Sequence, residues 1–135
     1  MISEVQEAIM QKFNASPSLR DALSGNMFYQ NAEQDQTGSY VVFSIEGITQ
    51  EEIMGTADDN ITDVEIQFSI FTDLNDGGMQ IGLLSDLLME AFDWEEIHVD
   101  GYHWIKMQRE ALVSLGYVDE VWQSVINYSL GIQKE

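Results

Sequence analysis

Between Ile61 and Asp73 apolar and polar residues alternate. Val64, Ile66, Phe68 and Ile70 fall on one face, and Asp63, Glu65, Gln67 and Ser69 on the other. A period of two marks a strand buried on one side only. Asp73-Leu74-Asn75-Asp76-Gly77-Gly78 follows as a turn, with two glycines free to take positive φ. From Met79 to Phe92 the period lengthens: Ile81, Leu84, Leu88 and Ala91 form one stripe with Leu87 beside it, which predicts a helix with a core-facing side. This strand–turn–helix unit is the scaffold on which the rest is expected to pack.

Upstream, Ser3 is placed to cap a first helix whose apolar side is Val5, Ala8, Ile9 and Phe13, with Ile2 before the cap. Ser16-Pro17 starts a short second helix, with Pro at the first helical position, and Gly25 is placed to end it. Met27 to Gln30 predicts a short strand. A polar loop follows from Asn31 to Ser39, then a strand from Tyr40 to Glu46 with Val41, Phe43 and Ile45 on one face. Gly47 to Asn60 predicts a long connection. Downstream, Trp94 is the expected anchor of a turn region, and Tyr102 to Val113 is a strand with mixed faces. Ser114 to Glu120 is a connection, Trp122 to Leu130 a last strand and Gly131 to Glu135 a frayed tail. The order α-α-β-β-β-α-β-β predicts an α+β fold: a mainly antiparallel sheet with helices packed on one face, in a single domain spanning 1–135.

Charge changes this picture more than composition does. The 135 residues are 44% hydrophobic, enough for an ordinary core, and contain no cysteine, which excludes disulfides and thiolate metal sites. Twenty-four acids face five bases, for a formal net charge of −19. Eighteen of the acids lie between Asp21 and Ile105, a span without Lys or Arg. Binding nucleic acid through its phosphates needs clustered cations, so specific DNA or RNA binding is not expected, nor is attachment to an anionic membrane. No apolar run approaches the ~20 residues of a membrane span, and the N-terminal stretch lacks signal-peptide features. The acidity fits solubility, a saline habitat or a surface that repels DNA.

Chemistry-bearing patterns are weak. Read as a calcium loop from Asp73, Gly78 fits position six, but Gly77 and Leu84 fall where ligands are needed. His98, Asp100 and His103 lie close in sequence, yet zinc wants three or four ligands, and these are the only histidines. No nucleophile elbow and no phosphate-binding glycine loop occur. Hence no catalytic, cofactor-binding or metal residue is assigned, and no cofactor is expected. The candidates that remain are for contact with another subunit or partner. They are the scarce cations Arg20 and Arg109, the loop residues Met54, Asp58 and Asp59, and the polar strand face of Asp63, Glu65 and Gln67.

Taken whole, the pattern resembles the tail-terminator or tail-completion (neck) proteins of long-tailed bacteriophages. The likeness runs from the first helix through Ser16-Pro17-Ser18-Leu19-Arg20-Asp21-Ala22-Leu23, Met27-Phe28-Tyr29 and Tyr40-Val41-Val42-Phe43. It continues through Asp63 to Phe71, the Met79–Phe92 helix and Val125-Ile126-Asn127-Tyr128. The resemblance implies a structural virion protein, not an enzyme. Six copies would form a ring on the head-proximal end of the tail tube, end its polymerisation and dock the neck or connector proteins. DNA would pass through an acidic lumen without sticking. A closed ring needs a heterologous interface, which a sheet edge or the Gly47–Asn60 loop would help supply. Alternatives are a head-completion, connector or minor tail protein of the same particle. From other classes come an acidic metal- or small-molecule-binding enzyme, which needs converging carboxylates or both histidines, and a DNA-mimic inhibitor, which needs acids at phosphate-like spacing on one face.

Overall fold

A computed structural model describes residues 1–31, 36–51 and 61–135, with backbone alone at 51 and 112–115. The elements are α1 (Ile2–Asn14), α2 (Pro17–Ala22), β1 (Met27–Tyr29), β2 (Tyr40–Glu51), β3 (Ile61–Thr72), α3 (Met79–Phe92), β4 (Tyr102–Val118) and β5 (Val121–Lys134). The fold is α+β, in the order the sequence predicts. One sheet runs β1-β2-β3-β5-β4. Every pairing is antiparallel except β1–β2, which is parallel with Met27 opposite Val41.

The alternation in β3 decides the layers. Val64, Ile66, Phe68 and Ile70 are buried beneath the helices. They meet Ile81, Leu84, Leu88 and Phe92 of α3 and Val5, Ile9 and Phe13 of α1 in one cluster. Phe68 is its centre, with ring centroids 4.8 Å from Phe92, 5.7 Å from Tyr128 and 6.1 Å from Phe43. The turn before α3 takes positive φ at Gly77 (77°) and Gly78 (90°), and the Asp76 carboxylate accepts the Gln80 amide at 3.0 Å. That carboxylate satisfies a helix-start donor that has no partner within the helix.

Strand ends differ most from expectation. β2 does not stop at Glu46: a bulge between Ile45 and Gly47 carries the strand on to Glu51 and sets Ile48 opposite Val64. Gly131 to Glu135 is not frayed, since β5 runs to Lys134, Gly131 and Ile132 are buried, and the Glu135 amide donates to the Gly101 carbonyl at 3.0 Å. Likewise Ser114 to Val118 is not a connection but the end of β4. Only Asp119 and Glu120 turn the chain, with φ of 52° and 66°. Positive φ at both central residues matches the twist of the flanking strands. The mixed faces of β4 also have a cause. Register shifts at Trp104/Lys106, Arg109/Ala111 and Leu112/Ser114 each insert one residue. Trp104, Met107 and Arg109 therefore all stand opposite core-side residues of β5 (Ile132, Leu130 and Tyr128), although 104 and 107 have opposite parity.

Two helix starts and one anchor are also corrected. Ser3 lies inside α1: the helix is already formed at Ile2, the Val5 amide donates to the Met1 carbonyl, and the Ser3 hydroxyl donates to Glu4. Ser16 precedes α2, but its hydroxyl reaches back to the Lys12 carbonyl at 2.8 Å instead of capping forward. The Trp94 side chain is no anchor, since it is 62% exposed. The residue has a φ of 56°, and it is its backbone amide that ties the turn to β4, donating to the Met107 carbonyl at 2.8 Å.

Candidate functional site

Among the described residues, the helices cover one face of the sheet and leave the other open. On the open face the polar side of β3 (Asp63, Glu65 and Gln67) meets Glu46 of β2 and Lys106 and Glu110 of β4 around a concavity of about 680 Å³. Four carboxylates thus surround one ammonium. Lys106 reaches Asp63 from two strands away, with Nζ 4.0 Å from Oδ1. It crosses the intervening β5 at Gly131, where an added Cβ would lie 3.0 Å from the Lys106 Cγ. A glycine here leaves the channel through which the lysine stem passes. Asp63 Oδ1 and Asn127 Oδ1, both on this face, are buried without a hydrogen-bond partner.

The two arginines are not brought to this face or to each other. Arg20 lies 3.6 Å from Asp21 and donates to the Asn14 carbonyl at 3.0 Å, tying α2 to the end of α1. Arg109 turns to the helix side, where it meets Asp93 at 3.7 Å and the Met89 sulfur. Asp93 also accepts the Tyr128 hydroxyl at 2.6 Å. Burial, then the hydrogen bond to that carboxylate, push the Tyr128 phenol above its ordinary range. This trio pins the loop after α3 to the sheet.

The histidines are held apart in their contacts. His98 faces Asp100 at 3.6 Å, while His103 faces Glu135 at 3.9 Å, and both imidazoles are exposed. Among the described residues no group of three or more His, Asp or Glu is arranged to hold a metal ion. Met54, Asp58 and Asp59 lie outside the described residues.

Of the candidate contact residues, then, the structure gathers Asp63, Glu65 and Gln67 and disperses Arg20 and Arg109. The reading from sequence missed Lys106, Glu46, Glu110 and Gly131. Alternation puts Glu46 on the face opposite Val41, Phe43 and Ile45, where the structure has it, but gives no sign of its neighbours from β4. Glu110 sits in the Arg109/Ala111 register shift, so alternation could not place it on a face. The one available signal was the scarcity of cations, which made Lys106 as notable as the arginines.

No protein-family model matches the sequence, and no curated protein matches it. Solved structures do share the fold. A chain from the virion of a native gene transfer agent particle superposes with a TM-score of 0.78 at 14% identity, over 95% of this chain and 93% of that one. The bacteriophage SPP1 gp17 protein superposes with a TM-score of 0.62 at 12% identity, over 96% and 91%. At these identities the likeness is one of fold. Two of the chains that share it come from a phage and from a gene transfer agent virion.

Proposed function

We propose that this chain is a structural virion assembly protein that forms a ring, six copies in the closed form, at the head-proximal end of a phage tail tube. There it ends tube polymerisation and joins tail to neck, and it carries no reaction of its own. The observation that carries the reading is the near full-length likeness to a chain of an assembled virion. Two features suit it. The outer edge of β2 is paired by β1 only as far as Phe43, which leaves Ser44 onward open among the described residues, and β4 is the opposite edge. A heterologous, ring-closing contact joins two different patches, and two different sheet edges can supply them. The open sheet face has four carboxylates around Lys106, and turned to a lumen it would repel passing DNA.

The test is to mix purified chain with polymerising tail tubes and examine the tube ends by electron microscopy, with native mass spectrometry on the chain alone. Capped tubes of limited length and a six-copy species are expected. Tubes that grow unchecked with bare ends would refute the proposal.

A further inference from the structure

Of the nine large apolar side chains exposed among the described residues, five gather at one end of the sheet: Leu74, Met79, Leu83, Tyr117 and Val118. Trp122 joins the hairpin tip to the turn before α3. Its ring packs against Tyr117 at 4.9 Å with the planes tilted by 42°, and Gly78 lies against its edge, close enough that a Cβ there would come within 3.2 Å. Trp122 also stands opposite Thr72, two residues before Leu74. Met79 directly follows Gly78, Leu83 is one helical turn on, and Val118 closes the hairpin tip opposite Val121. Met79 and Val118 are the most exposed of all, at 77% and 69%. Scattered exposed apolar residues are ordinary, but a gathered patch marks a contact surface.

The rim identifies the occupant. Asp73, Asp76, Asp119 and Glu120 are all exposed beside the patch, in segments without Lys or Arg. Two copies meeting through this patch would bring eight carboxylates together. A second copy offers little else, since Lys12, Arg20, Lys106 and Arg109 already face Glu95, Asp21, Asp63 and Asp93, and Lys134 lies at the opposite end of β5. We infer that the hairpin-tip end docks a different protein of the particle, whose contact surface has an apolar centre and a Lys/Arg rim. This rests on the reading of the chain as a virion assembly protein. It adds which end of the fold meets the partner and what chemistry that partner presents. The apolar centre supplies affinity and the acidic rim supplies partner choice.

A photo-crosslinking residue at Met79, in particles assembled with that variant, tests the inference. The expected adduct joins Met79's position to a different virion protein, at a peptide with apolar residues flanked by Lys or Arg. An adduct to a second copy of this chain, or none from particle-bound chain, overturns it. Absence of the chain from purified particles removes the virion reading and the inference with it, and is seen before any irradiation. Because the side chains are exposed, the double variant Met79→Ser/Leu83→Ser should keep the native circular-dichroism spectrum and oligomer mass while its incorporation falls at least about tenfold. Unchanged incorporation, or a fall in oligomer mass, contradicts the inference. Glu120→Lys should also lower incorporation, most strongly at low salt.

Discussion

Tyr128→Phe removes one atom from the Asp93 trio and keeps the buried ring. The lost contact is a 2.6 Å hydrogen bond to a carboxylate. Hydrogen bonds to charged groups contribute about 1.5–3 kcal/mol, and the lower end applies because Asp93 stays 31% exposed and keeps Arg109 at 3.7 Å. A loss of about 1.5 kcal/mol is therefore expected near neutral pH. With an unfolding entropy of about 2.1 cal/mol/K per residue over this chain, that lowers Tm by about 5 °C. The pH dependence distinguishes a proton-linked bond from simple packing. The folded phenol is raised above its ordinary value, so its stabilisation is fully present below about pH 10 and is lost as pH rises toward the folded value. At pH 11 the unfolded state gains about 1.4 kcal/mol from ionising Tyr128, a gain that the Phe variant lacks. Urea unfolding of both proteins at pH 7.5 and pH 11 should show a gap of about 1.5 kcal/mol that nearly closes. A neutral-pH gap below about 0.5 kcal/mol, or one as wide at pH 11, would refute the reasoning.

Three further predictions follow from the fold and charge. Phe68→Ala, at the centre of the aromatic cluster, should cost about 3–5 kcal/mol in urea unfolding, and a cost below about 1.5 would mean that the core is not organised around it. Gly78→Ala combines φ of 90° with a Cβ placed 3.2 Å from the Trp122 ring and should cost about 1–3 kcal/mol, whereas Gly77→Ala, strained in φ (77°) but in open space, should cost about 1. Equal losses at the two sites would show that the ring contact is irrelevant. Ring assembly of a chain with net charge −19 should strengthen with added salt in sedimentation runs; oligomer strongest at low salt and indifferent to cations would count against repulsion as the controlling term.

What the sequence made legible follows physical periodicity. β3 and α3 were readable because each keeps one uninterrupted period and one buried face, and α3 runs from Met79 to Phe92 as expected. β4 was not readable face by face, because three inserted residues reverse the parity of its pattern. Gly116 reads as a turn residue but lies within β4, so the connection is expected to begin at Ser114, whereas the positive φ values fall only at Asp119 and Glu120. The polar face of β3 was visible as a face, but not its company. Lys106 joins Asp63 across an intervening strand, a contact fixed by sheet order and by a glycine far away in sequence. The apolar patch around Trp122 is likewise assembled from the turn before α3, the first turn of α3 and the hairpin tip, segments about forty residues apart.

The most direct test of the account is the position of the chain in its own particle. Particles carrying a tagged copy, labelled at the tag and imaged by electron microscopy, should show it in a ring between tail tube and head, with averaged density holding six copies of the five-stranded sheet. Density in the capsid shell or at the distal tail tip, or particles that lack the chain, would contradict it.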